Sequence, residues 1–368
     1  QGTDNGISTS ASSVNFGSVT VGSTLSKTVT VTGAGLTAGI TVQCSNGFYT
    51  VTPASLPATG GTLTVKYAPT AAGNHSGTIT LTSGTKTATV ALDGTAKNPP
   101  LAFTEGWNMS ETSGKKDSKW LSTYSKARNM DFGAGKLYVV NAEDGKIAVV
   151  NAQTGAYIKD LNMTGVTEGT LKVIDVKYFD GKVLACNLAA PTSDTSKPLK
   201  VYIWDNDDAA PRVLLNTTDY DNKARVGDCL GVYGTLSDGY IYFAAGSQTE
   251  QNEVLRYRIK NGVCATTPDY IMPLSEQGNS VTLGLSPRVY PEAPASFWAI
   301  GQQRYPTFFN DGVVQYTHNS GALGGVIHGN AFKPFTYRGT TYGLSTTYQA
   351  GSTTLTGGHV VLTDGTNG

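Results

Sequence analysis

The stretch from Gly135 to Gly155 reads GKLYVVNAEDGKIAVVNAQTG. It holds two short runs rich in β-branched and aromatic residues, and each ends in Asn and a Gly-bearing turn. Runs of this length bounded by Asn and Gly are strands joined by tight turns. One hairpin in an ordinary sheet would show the pattern once. Here it recurs. GKVLACN (181–187) is followed by KVYIWDN (200–206) and RVLLN (212–216). GYIYFAA (239–245) is followed by EVLRYRI (253–259) and a third run through YIMPL (270–274). ASFWAIG (295–301) precedes GVVQYTH (312–318), and TTYGLST (340–346) precedes HVVLTDG (359–365). With Tyr138, Leu184, Tyr242, Trp298 and Tyr342 as equivalents, the spacings are 46, 58, 56 and 44 residues. Four strands repeated at such spacing predict a β-propeller over 103–368.

Five blade repeats are visible, and the fifth stops after its third strand. LAFTEGWNMS (101–110) is the candidate to supply the missing outer strand and close the wheel. Six or seven blades remain open if the chain is truncated.

Before the repeats, 13–96 alternates with period two. Val29 and Val31, Leu63, Val65 and Tyr67, Ile79 and Leu81, and Val90 and Leu92 fall on single faces of their runs. About seven such runs split by Gly, Pro, Asn and Ser predict a β-sandwich. Residues 1–12 read as a flexible start, and the Lys-Asn-Pro-Pro linker spans 97–102. The fold class is therefore all-β, a β-sandwich followed by a β-propeller.

Composition narrows the function. Charged residues are 15%, and 27 Lys+Arg balance 27 Asp+Glu. Zero net charge argues against nucleic acid and against polybasic attachment to lipid. No apolar run reaches the length of a transmembrane helix. Gln1-Gly2 reads as the trimmed start of a mature or engineered chain. Cys44, Cys186, Cys229 and Cys264 form no CxxC and read as small buried hydrophobes; in an oxidising compartment Cys186–Cys229 is the pair to bridge. No metal and no cofactor are expected. Asp205, Asp207 and Asp208 lack EF-hand spacing and read as a solvated turn. His75, His318, His328 and His359 are scattered.

Two resemblances follow from these residues. VNFGSVTVGSTLSKTVTVTGAGLTAGITV, YAP…AG…SGTITL and LDGTA resemble the bacterial Ig-like domains related to the Hydin and abnormal-spindle modules. That resemblance implies a spacer or adhesive module on an exported protein. ARNMDFGAGKLYVVNAEDGKIAVVNAQTGAYIKDL and PLKVYIWDNDDAAPRVLLN resemble a propeller-type domain of unknown function from exported Bacteroidetes lipoproteins. It implies a periplasmic or surface location, with lipid anchoring through a removed N-terminal segment as one route.

The expected site is the channel mouth, built from starts of innermost strands and from second-to-third-strand loops. Arg128, Lys172, Arg225, Arg288 and Lys333 recur at one position of the repeat, as a basic ring suited to an anionic group. Asp131, Asp175 and Asp228 recur at another. Residues three apart on a strand face opposite ways, so pairing with a neighbouring blade is expected over pairing within one copy. The three Asp are weak catalytic candidates for a glycosidase; the competing reading is an inter-blade network. Loop 301–312 offers Arg304, Tyr305, Phe308 and Phe309 for stacking on a sugar or partner. The expectation is a monomeric, exported, non-enzymatic binding protein whose ligand is a glycan, acidic by preference, or an envelope protein. The alternatives are a protein–protein scaffold and a polysaccharide hydrolase or lyase.

Overall fold

In the computed structural model, the described residues are 6–107, 119–120, 127–167, 169–189, 197–220, 225–246, 250–284, 286–301, 304–317, 332–338, 340–347 and 359–364. The chain is all-β and divides into two compact units, Gln1–Phe103 and Thr104–Gly368.

In the first unit two sheets enclose one core. One runs Gly6–Thr9, Leu25–Ala34, Gly60–Tyr67, Tyr49–Thr52; the other runs Ser13–Thr20, Lys86–Lys97, Gly73–Ser83, Ile40–Cys44, Ser55–Leu56. Val29, Val31, Leu63, Val65, Tyr67, Ile79, Leu81, Val90 and Leu92 are all at most 2% exposed, and they meet in one cluster. The period-two pattern put them there, because alternate side chains of a strand leave opposite faces.

The second unit carries five consecutive sheets, each with an antiparallel run that opens on a leading strand; one parallel pairing, Ser275 with Val313, lies at the edge of the fourth. The leading strands are Ala127–Gly133, Leu171–Phe179, Gly231–Gly234, Arg288–Pro291 and Phe332–Tyr337. The first two sheets have four strands in chain order. The third adds the short strand Val263–Cys264, and the fourth gains the hairpin Ser275–Glu276 and Asn279–Ser280 at its outer edge. The fifth shows three strands, ending in His359–Asp364. The five residues read as equivalent all lie in second strands.

Neighbouring sheets pack face to face. Tyr138, Val140 and Val149 of the first meet Val176, Ala185 and Trp204 of the second. Leu184, Val201 and Ile203 meet Ile241, Phe243 and Tyr257 of the third. Tyr242, Val254 and Met272 meet Phe297, Ala299 and Phe309 of the fourth. Trp298 and Ile300 meet Phe332 of the fifth. A sheet covered on both faces needs apolar residues on both, so its middle strands read as continuous apolar runs. Gly133 shows how tight the stacking is: a Cβ there would lie 1.9 Å from the Tyr178 ring.

Of the segment 101–110, the described part, 101–107, supplies no outer strand for the fifth sheet. Residues 101–107 form no strand, and 108–110 lie outside the described residues. Trp107 instead packs with Trp120 against Val139, Ala148 and Val150 of the first sheet, and its Nε1 donates to Ala152 O at 2.8 Å. A large apolar ring is better placed on that apolar face than along a polar sheet edge.

Candidate ligand site at the leading strands

The three repeated Asp are structural clamps. Asp131 Oδ2 accepts the Tyr178 N–H of the next sheet at 2.7 Å. Asp175, fully buried, accepts the Leu230 N–H ahead of the third sheet at 2.8 Å, its neighbour Val176 N–H at 2.9 Å, and Lys177 Nζ at 2.7 Å. Asp228 holds Arg225 in a bidentate pair, Nε to Oδ2 at 2.5 Å and Nη2 to Oδ1 at 2.7 Å. Each carboxylate is occupied by donors that fix one piece of backbone or one neighbouring cation.

The Arg225–Asp228 pair corrects the expectation that such residues face apart. That rule holds for a regular strand, and residues 225–230 precede theirs with a single isolated bridge, Val226 to Ala245. Gly227 makes this path possible. Its φ is +103°, and a Cβ there would come within 2.3 Å of Asn187 O.

The five basic residues do not share one level. Opposite the equivalent second-strand residues stand Asp131, Lys177, Gly231, Tyr290 and Phe335. Counted back from those, Arg128 is three residues away, Lys172 five, Arg225 six, and Arg288 and Lys333 two. Register shifts between Ala127 and Met130 and between Leu171 and Asp175 break the count. Arg128, Lys172 and Lys333 are exposed, Arg225 is bound to Asp228, and Arg288 reaches inward to Asn129 Oδ1 of the first sheet.

The loop 301–312 is shorter than expected. Thr307–Asn310 is the third strand of the fourth sheet, and Val313–Thr317 is its fourth. Phe309 is fully buried and stacks on Phe297 with centroids 5.5 Å apart. Phe308, one position earlier, takes the other face and packs at 5.3 Å from Trp298. Neither is an exposed loop aromatic. Arg304 is exposed, with Nη2 donating to Thr282 Oγ1 at 2.9 Å, and Tyr305 is half-buried.

The structure does form a pocket, in a different place. A cavity of about 390 Å³ is lined by Lys177, Gly231, Val232, Val289–Glu292, Lys333–Thr336 and Thr341. Its walls are the leading strands of the second to fifth sheets. Lys177 comes late in its strand, Glu292 just follows its own, and Thr336 and Thr341 flank the turn after the fifth leading strand. The cavity thus extends toward the first turns of the sheets, away from the predicted mouth. Of the predicted ring only Lys333 lines it.

The lining is cationic with aromatic and hydroxyl surface. Burial lowers the Lys177 pKa, but the charge of Asp175 and, less, Cys229 and Asp131, with the Asp175 hydrogen bond, hold it above its ordinary value. Lys177 therefore stays an ammonium and is no amine nucleophile. The Phe335 ring stacks on Tyr342 at 5.6 Å. Burial first raises the Tyr290 pKa, and its hydroxyl accepts the Phe332 N–H at 3.2 Å. Glu292, the one carboxylate among the described lining residues, accepts Trp298 Nε1 at 3.1 Å. Lys177, Tyr290, Glu292 and Phe335 were not singled out from sequence. The available signal was Lys177 itself, a cation inside the apolar run LKVIDVKYF.

The acidic turn is a staple between sheets. Asp207 accepts Lys136 Nζ and, at 2.9 Å, the Tyr138 hydroxyl; Asp208 accepts Lys159; Asp205 lies 3.4 Å from Lys182. Among the described residues no group of His, Cys, Asp or Glu is arranged to hold a metal ion. The four cysteines are free, and Cys186, Cys229 and Cys264 are buried. No helix among the described residues is long and apolar enough to cross a membrane.

No family model matches the chain, and no curated protein matches it in sequence. Among solved structures it is similar to a DUF4623 family protein from Bacteroides eggerthii, with TM-score 0.55 and 15% identity over 97% of this chain and 77% of that one. Slighter likenesses join it to a quinonprotein alcohol dehydrogenase-like protein from Bacteroides thetaiotaomicron (TM-score 0.38, 10% identity, 95% of this chain and 91% of that). Another is to an ASH/PapD-like domain of human CEP192 (TM-score 0.23, 13% identity, 26% of this chain and 88% of that). At 15% identity the first likeness bears on the fold alone, that of an all-β chain built on a similar plan.

Proposed function

We propose that this is an exported, non-enzymatic binding protein. Its Ig-like sandwich is a spacer, its five sheets close into a propeller, and the pocket at the leading strands takes the acidic end of a surface glycan. One observation carries the reading: a 390 Å³ cavity that sets two lysines, Lys177 and Lys333, beside an aromatic ring and several hydroxyls. Cations answer a carboxylate, the ring offers a stacking face, and the hydroxyls answer sugar hydroxyls. A two-carboxylate hydrolase is less well supported, because Asp131, Asp175 and Asp228 are all engaged and Glu292 is the one carboxylate among the described lining residues.

A second reading, a scaffold for an envelope protein, draws on Met130 and Phe132. They are 57% and 60% exposed on one face of the first leading strand.

The test is an array of acidic and neutral oligosaccharides. Acidic glycans should bind, and Lys333→Ala should weaken them about tenfold, as for one charge-assisted contact. Arg304→Ala with Tyr305→Ala should change little. Equal binding of neutral glycans, or loss of binding in the second variant alone, would overturn the pocket assignment.

A further inference from the structure

Two charges of the pocket lining are left over once the ion pairs are made. Of the charged side chains among the described lining residues, Lys177 has its counter-ion in Asp175 at 2.7 Å. Lys333 and Glu292 are both exposed, and among the described residues neither forms an ion pair, with the other or with a third group. The cavity therefore keeps one uncompensated cation, on the fifth sheet, and one uncompensated anion, just after the leading strand of the fourth. Both are open to solvent, so a ligand in the cavity can reach them.

Glu292 differs from an ordinary surface glutamate in being held. Its backbone N–H donates to Ser296 O at 2.9 Å, closing the turn after the fourth leading strand. Its Oε1 accepts Trp298 Nε1 at 3.1 Å. The indole is itself fixed: it is 8% exposed and packs with ring centroids 5.3 Å from Phe308 and 5.1 Å from Phe332. A long side chain gives up rotamer freedom when it meets a ligand, and one already anchored gives up less. Among the described residues no donor takes Oε2, so the anchored carboxylate keeps one oxygen to offer.

The two charges decide what fits. A ligand that is only an anion is attracted by Lys333 and repelled by Glu292. A ligand without charge answers neither ion with an ion. A ligand that bears both signs answers both, with charge-assisted hydrogen bonds at each end. We infer that the pocket selects a sugar acid that also carries an ammonium, with the acid on Lys333 and the ammonium on Glu292. The inference rests on the pocket being the ligand site, and it narrows the acidic glycan to a zwitterionic one. A volume of about 390 Å³, near the lower end of ligand cavities, suits the terminal residue of such a chain.

The experiment is calorimetric titration of the intact protein with glucuronate, its amino analogue glucosaminuronate, and N-acetylglucosaminuronate. Wild type should bind the amino analogue about tenfold more tightly than glucuronate, and acetylation, which removes the positive charge, should abolish that gain. Glu292→Gln keeps an acceptor for Trp298 Nε1 and removes the charge. It should lose the preference for the amino analogue and bind glucuronate more tightly, because a like charge is gone. A second measurement needs no variant in the binding assay: the Trp298 indole N–H resonance of wild type, assigned by its absence in Trp298→Phe, should shift on addition of glucosaminuronate more than on addition of its acetylated form. If wild type binds glucuronate and the amino analogue equally, if Glu292→Gln keeps the preference or weakens all three probes alike, or if the resonance answers both forms alike, the ammonium site is overturned and the pocket stands. If wild type binds none of the three, the pocket reading itself falls.

Discussion

Replacing Asp175 tests the clamp that joins the second and third sheets. Asp175→Ala removes the acceptor of Leu230 N–H and the counter-charge of Lys177. Removing one partner of a buried ion pair costs ~3–5 kcal/mol, and an orphaned buried N–H ~1–3 kcal/mol. Lys177 is 16% exposed along its side chain and borders the pocket, so water relieves part of the charge and the lower ends apply. The expected loss is ~4 kcal/mol. Asp175→Asn keeps one carbonyl oxygen for Leu230 and should lose ~2 kcal/mol. The double change Asp175→Leu with Lys177→Met removes both charges and should be milder than Asp175→Ala. The readout is urea unfolding followed by tryptophan fluorescence. All four tryptophans, Trp107, Trp120, Trp204 and Trp298, lie beyond Phe103, so the sandwich is silent in this assay. The pH dependence has a defined sign. Because the folded Lys177 pKa is raised, its contribution is full below the ordinary value of 10.5 and is lost only as pH climbs above it. An Asp175→Ala loss under ~1 kcal/mol at unchanged m-value would refute the clamp.

In the sandwich, burial and then the charges of Tyr67, Asp93 and Cys44 push the Tyr49 phenol up to about 12 from 10.0. The unfolded chain ionises first, so stability should fall as pH rises from 10 to 12; Tyr49→Phe should lessen that dependence, Tyr67 with its own raised pKa keeping part of it, and, by losing the 2.6 Å bond to His75 O, cost ~1 kcal/mol near neutrality, read from urea midpoints by circular dichroism. Phe309→Ala should lower stability by ~3–4 kcal/mol, since the ring is fully buried on Phe297, whereas Arg304→Ala with Tyr305→Ala should cost under ~1 kcal/mol; equal effects would return Phe309 to the surface.

Local pattern was enough to read the strands of the sandwich and the five second strands at Tyr138, Leu184, Tyr242, Trp298 and Tyr342, because alternation and apolar runs are properties of neighbours in the chain. It could not place the site. Lys177 and Asp175 look like two more charges in a strand until the third sheet delivers Leu230 N–H to the carboxylate. The basic repeat looked level because spacing was counted along the chain, while bulges at 127–130 and 171–175 and the Gly227 path shift each residue by a different amount. Phe308 and Phe309 looked like loop residues until strand pairing put one on Trp298 and the other on Phe297. Arg288 needed three sheets to define it: its own, the first for Asn129, and the second for the carbonyl that fixes Asn129. Periodicity along the chain determined which residues are strands. Which charges are satisfied depended on contacts between residues as far apart as Asn129 and Arg288, and only the folded chain brings those together.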